Sequence, residues 1–132
     1  MSRENIDVVR RAIAAYNRRD FEAIRALSQP DVELDWSASR GPDAGVYQGL
    51  EAVLRMYQHF LEMFEEVHVE PERFIESDDL VVVPNSSQLG GRDGVQTVAR
   101  SALVFELRSG LVARIRLYQE AHEALEAVGL SE

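Results

Sequence analysis

Apolar residues recur at helical spacing along the first stretch of the chain. Ile6, Val9, Ile13 and Tyr16 form a stripe flanked by Val8, Ala12 and Ala15, while Arg10, Arg11, Arg18 and Arg19 fall mostly on the other side. This spacing predicts a helix over residues 4–19. Asp20 then stands as the cap of a short helix over residues 21–28, whose stripe is Phe21, Ile24 and Leu27, and Pro30 stops it. At Pro30 the period changes to two. Val32, Leu34 and Trp36 point one way from a strand, and Asp31, Glu33 and Asp35 point the other. The first three are expected to be buried and the three acids largely exposed. A loop rich in Ser, Gly and Pro covers residues 37–48, and Gly49 leads into the longest predicted helix, about residues 50–66. Its wide apolar face carries Leu50, Val53, Leu54, Tyr57, Phe60, Leu61 and Phe64.

The remainder reads as antiparallel strands near 67–76, 79–88, 95–107 and 112–120, divided at Ser77-Asp78-Asp79, Gly90-Gly-Arg-Asp-Gly94 and Arg108-Ser-Gly-Leu111. A three-residue loop centred on Gly110 pairs Phe105 with Ile115 and Leu103 with Leu117 on one face. On the reverse it sets Glu106 opposite Arg114, an attractive pair. Helices followed by a meander predict an α+β domain. At 132 residues the chain is expected to be a single domain, 1–132, large enough to bury a core.

Composition narrows the chemistry. There is no cysteine, which removes disulfides, thiolate metal sites and cysteine nucleophiles. The net charge is −9 and the basic residues are scattered arginines with no lysine, which argues against nucleic acid. Apolar runs such as Leu80-Val-Val-Val-Pro84 are strand-sized, so no membrane span is expected, and no signal region precedes the first helix. A cytoplasmic protein is the expectation. His59, His68 and His122 lie in different elements without metal-ligand spacing, so no metal and no cofactor are expected. Ser86-Ser87 has neither an elbow motif nor an evident base, and Gly90-Gly91 sits in a hairpin loop where it precedes no helix.

The order of elements resembles the SnoaL-like branch of the nuclear-transport-factor-two and ketosteroid-isomerase superfamily. The residues that carry the likeness are Tyr16-Asn17-Arg18-Arg19-Asp20, Pro30-Asp31-Val32-Glu33, Val46-Tyr47-Gln48-Gly49 and Arg108-Ser109-Gly110-Leu111-Val112. The ending Tyr118-Gln-Glu120 with Glu123-Ala-Leu-Glu-Ala-Val-Gly-Leu130 adds to it. The resemblance implies a cone, in which a curved antiparallel sheet wraps the long helix behind two N-terminal helices and leaves an apolar pocket at the wide end. It also implies a homodimer through the outer sheet face, where Val98, Ala102, Val104, Val112 and Tyr118 are expected to form an apolar patch.

Such a fold hosts several activities, so the site residues must decide function. In ketosteroid isomerases a strand aspartate moves the proton while a tyrosine and a protonated aspartic acid hold the oxyanion. Counted from the shared landmarks, those slots fall on Ala12, Trp36 and Leu103; only Tyr57, in a supporting tyrosine position, keeps its type. The expected ligand-pocket residues are Tyr16, Trp36, Tyr57 and Phe60, with Asn85, Leu103 and Gln119. Phe64 and Phe105 are assigned to the core, and Arg100 is sent outward by its register. The reading is a binding domain for a small hydrophobic molecule. The alternative is a lyase, isomerase, cyclase or epoxide hydrolase acting on a polyketide- or terpene-like substrate through Tyr16, Tyr57 or a carboxylate such as Glu120. A third reading is a structural dimer whose pocket is filled by its own side chains. An inward-facing carboxylate or arginine favours the enzyme.

Overall fold

The computed structural model describes residues 2–91 and 94–130. Its elements follow in the order α1 (Ser2–Asn17), α2 (Phe21–Ala26), β1 (Ser28–Asp35), β2 (Val46–Gln48), α3 (Leu50–Glu62), β3 (Glu66–Pro71), β4 (Ile75–Ser77), β5 (Leu80–Gly90), β6 (Gln96–Arg108), β7 (Leu111–Tyr118) and α4 (Ala121–Ala127). This is the expected α+β cone. The sheet runs β2-β1-β7-β6-β5-β3, with β4 also on β5. Every pair is antiparallel except one: β1 lies parallel to β7, so the expected all-antiparallel sheet is mixed.

Local chemistry sets the joints. Arg19 turns the chain out of α1 at φ 58°, and the Asp20 carboxylate accepts a hydrogen bond from the Ala23 amide at 3.1 Å to cap α2. Asn17, at the end of α1, accepts from the Val69 amide at 2.8 Å and donates to the Val69 carbonyl at 2.9 Å. Gly49 opens α3 at φ 90°, a backbone geometry suited to glycine, while its amide bonds the Val32 carbonyl at 2.8 Å. Together these bonds hold the helices against one face of the sheet. Val9, Ile13, Val53 and Met56 pack there on Val32, Leu34, Val81, Val83 and Phe105.

The β6–β7 register matches expectation: Leu103 faces Leu117, Phe105 faces Ile115 and Glu106 faces Arg114. The connection differs. Ser109 and Gly110 form a two-residue turn, both with positive φ, and a bulge at Ala113 restores the register that the longer loop was expected to give. Other boundaries also move. The long helix ends at Glu62, short of residue 66. The run 67–76 splits into β3 and β4 around Glu72-Arg73-Phe74, each part pairing with a different end of β5. Val46–Gln48, expected as loop, forms a short strand on β1. Arg92 and Asp93 of the expected Gly-rich turn lie outside the described residues.

The largest correction is α4. Its Ala124 and Leu125 cover Val82, Ala102 and Val104 on the outer sheet face, and Tyr118 packs at the edge of this cluster. Val112 faces the inner core instead. Of the apolar patch expected on the outer face, Val98 alone stays widely exposed, at 65%. Glu120 begins α4 with a capping box, its side chain accepting from the third helical amide while Glu123 Oε1 accepts from the Glu120 amide at 3.1 Å.

On β1 the alternation holds in direction. Val32 and Leu34 are buried and Trp36 is partly buried. The acids face outward, yet only Asp31 is open, at 70% side-chain exposure; Glu33 and Asp35 are 22% and 13% exposed. Their cover is β7. Arg114 Nε donates to Glu33 at 2.8 Å, and Arg116 Nε lies 3.4 Å from Asp35. Gln48 adds a bond to Glu33 at 2.8 Å. The expected solvated face is thus an acid row zipped to a basic row on the parallel neighbour.

The Asp35 carboxyl is held below its ordinary range, chiefly by the Ser37 hydroxyl at 2.6 Å and also by the Ser37 amide, Arg116 and Arg114, against the opposing effect of burial. A folded-state value below the unfolded one adds stability above the unfolded value, which is lost as pH falls through the folded one. Asp35→Asn is therefore expected to lower stability by about 1–3 kcal/mol at neutral pH. The gap to the wild type should close below about pH 4, read from urea unfolding at a series of pH values.

Candidate functional site

Because α1 and α3 lie across the concave face and the strands curl away at one end, the core is not filled there. A cavity of about 540 Å³ remains between the helices and the sheet. Val32, Val53, Val112 and Ile115 close its inner end, while exposed Met63, Ala99 and the segment Arg40-Gly41-Pro42 mark the mouth. That segment belongs to a strap, residues 37–45, which spans the opening between β1 and β2. The strap is tied down at several points. Trp36 N bonds Gly45 O at 2.7 Å, Gln119 Nε2 bonds Ala38 O at 2.7 Å, and the Tyr47 hydroxyl donates to Asp43 O at 2.7 Å.

All seven residues expected at a pocket border this cavity: Tyr16, Trp36, Tyr57 and Phe60, with Asn85, Leu103 and Gln119. Tyr16 and Tyr57 reach it from α1 and α3, where their rings meet edge to face, 5.1 Å apart at 76°. Neither hydroxyl bonds another described residue, and both side chains are partly buried. Burial pushes both phenols well above their ordinary value; for Tyr16 the neighbouring Tyr57 adds to this and Arg19 opposes it. They are held as neutral donors facing an apolar space. Asn85, 2% exposed, is oriented by its own bond to Val83 O at 3.0 Å and by the Ser101 hydroxyl, which donates to Oδ1 at 3.3 Å.

The three positions counted as isomerase catalytic slots, Ala12, Trp36 and Leu103, all line the cavity. Phe64 and Phe105, assigned to the core, line it too; Phe64 sits 5.3 Å from Phe60. Glu120 does not, being engaged in the cap of α4. Arg100 borders the rim, but its guanidinium points to Glu72 at 2.8 Å and is 75% exposed.

Two mouth residues escaped sequence reasoning. Asp43, the only carboxylate among the lining residues, has a side chain 16% exposed and an Oδ1 3.8 Å from His59 Nε2. Arg40 lines the opening beside it. Both sit in an irregular loop where no periodicity assigns a face, and the polar-face position of His59 gave no sign that a loop packs onto it. His68 meets only Glu70, at 3.2 Å, and among the described residues no cluster is arranged to hold a metal ion. No helix among them is long and apolar enough to cross a membrane. The site therefore offers large apolar walls, two unengaged phenols, one oriented amide and a charged mouth.

The sequence profile described as the SnoaL-like domain matches residues 9–115. Among solved structures, the chain is similar to an NTF2-like protein of unknown function from Burkholderia pseudomallei. The two are 22% identical, with a TM-score of 0.79 over 96% of this chain and 98% of that one. TerC co-crystallised with polyporic acid is 21% identical, with a TM-score of 0.79 over 95% and 97%. A Mycobacterium tuberculosis protein in complex with estradiol-17beta-hemisuccinate is 19% identical, with a TM-score of 0.77 over 89% and 94%. At these identities the likeness is one of fold. Among curated proteins, none matches this sequence.

The two phenols carry a signature in alkali. A folded-state value raised above the unfolded one, about 10, leaves stability intact below that pH and drains it as pH rises beyond. Urea midpoints of the wild type should fall above about pH 10, and the fall should be shallower in the Tyr16→Phe/Tyr57→Phe double variant.

Proposed function

The chain belongs to the SnoaL-like domain family, and from that premise we propose that it binds a small hydrophobic molecule in the cavity between α1, α3 and the sheet. One observation carries this reading: about 540 Å³ of space walled by apolar side chains and bordered by two partly buried tyrosines whose hydroxyls bond no other described residue. A ligand oxygen that accepts from the Tyr16 or Tyr57 hydroxyl gains a hydrogen bond at the apolar wall and fixes its orientation there. Trp36, Phe60 and Leu103 supply the surface against which a flat apolar body lies. The ligands named with TerC and with the Mycobacterium tuberculosis protein are ring compounds bearing oxygen functions, which agrees with a site of this composition. The reading places the protein in the cytoplasm. It keeps a homodimer among its expectations, through sheet surface that α4 leaves uncovered, such as that around Val98.

A second reading, an enzyme of the lyase, isomerase or cyclase type, is favoured by Asp43. A carboxylate at the mouth of an apolar cavity, beside an imidazole at 3.8 Å, is placed to accept a proton from a bound substrate. Compound extracted from the purified protein and returned to it in heavy water is then expected to take up deuterium, and Asp43→Asn is expected to abolish the uptake. No uptake with the wild type removes this reading and leaves binding.

The only tryptophan in the chain reports on the primary reading. Phenylnaphthylamine, an uncharged aromatic probe, is expected to quench Trp36 emission on binding. Trp36→Ala should weaken that binding, followed by the probe's own fluorescence, by about 1–3 kcal/mol. The variant should stay folded, because a wall that already borders empty space loses volume more cheaply than a packed core. Unchanged probe affinity, or a variant that unfolds, assigns Trp36 to structure alone.

A further inference from the structure

Several arginines of this acid-rich chain are neutralised within it: Arg108 by Asp31, Arg114 by Glu33, Arg116 by Asp35 and Arg100 by Glu72. Arg40 is different. Its guanidinium makes no hydrogen bond, ion pair or ring contact with any described residue, and it stands at the cavity mouth. Its backbone is fixed on both sides, by Ser39 N to Trp36 O at 3.0 Å and by Gly41 N to Ser39 Oγ at 3.1 Å. The neighbouring Asp43 carboxylate does not claim it; that group faces His59.

An arginine fork takes planar anions in a bidentate manner. We propose that Arg40 is an anion seat: the cavity takes an amphipathic acid whose carboxylate or similar oxyanion pairs with Arg40 while its apolar body fills the space behind. This rests on the cavity being a binding site and adds the chemical class of what enters it. The ligand then has two polar points, an acceptor oxygen toward the phenols of Tyr16 and Tyr57 and an anionic end at the mouth, separated by apolar framework. A neutral hydrocarbon satisfies neither point, and a small free anion fills none of the cavity.

Two probes of nearly the same shape separate charge from apolar contact: anilinonaphthalene sulfonate, an anion, and phenylnaphthylamine, its uncharged counterpart. Each is titrated into the wild type, Arg40→Gln and Arg11→Gln. The last removes the same formal charge from the exposed face of α1, where Arg11 pairs with Asp7. The expected result is a loss of about tenfold in sulfonate affinity for Arg40→Gln alone, the weight of one charge-assisted contact. Phenylnaphthylamine should bind all three proteins equally, and added salt should weaken only the sulfonate. Sulfonate affinity that ignores Arg40→Gln, or falls as far in Arg11→Gln, overturns the anion seat, while continued binding of the neutral probe leaves the cavity reading standing. Failure of both probes to bind the wild type overturns both.

Discussion

The arrangement depends on β1 having two incompatible faces. On one side Val32 and Leu34 are sealed against the helices; on the other Glu33 and Asp35 meet Arg114 and Arg116 of β7. A shift of one residue would place carboxylates in the core and valine against guanidinium, so the register has no near competitor. Because β7 is parallel to β1 and antiparallel to β6, this single seating joins the N-terminal part of the chain to the meander. Ion pairs in such half-covered positions contribute modestly to stability, and their weight falls on choosing one register over another.

From that seating the cavity follows. Trp36 inherits the inward phase of Val32 and Leu34 but lies one step beyond the strand, where the helices no longer fill the concave face. The last residue of the apolar row becomes a wall. The strap that starts at Ser37 must then cross the opening to reach β2, which brings Arg40 and Asp43 to the rim. Strand phase sets the walls, and the path of the loop sets the charges at the mouth.

How legible this was in the sequence depends on whether a residue lies in a periodic element. Phase together with the resemblance pointed to Tyr16, Tyr57 and Phe60 on helices and to Leu103 and Asn85 on strands, and all five border the cavity. The hairpin register was readable because Phe105–Ile115 and Glu106–Arg114 satisfy apolar and charge complementarity together, so a wrong loop length did not disturb it. The failures share the opposite property. Glu72-Arg73-Phe74 interrupts a run of strand formers, and the break follows from where β5 can accept a partner, which is a long-range matter. Seven residues of α4 are too few to declare themselves by spacing, and their role is to cover a sheet face that looked free. Asp43 and His59 meet through a loop whose course no pattern encodes.

Asn17 shows a different economy. By giving Val69 both a donor and an acceptor, its amide imitates one rung of a neighbouring strand along the free side of β3. An open sheet edge is a template onto which foreign chains can add and grow into fibrils. Here one rung of that edge is already occupied from within the fold, by a side chain fixed at the end of a helix. The residue that marks the end of α1 thus also takes up backbone groups of an edge strand that a foreign strand would need.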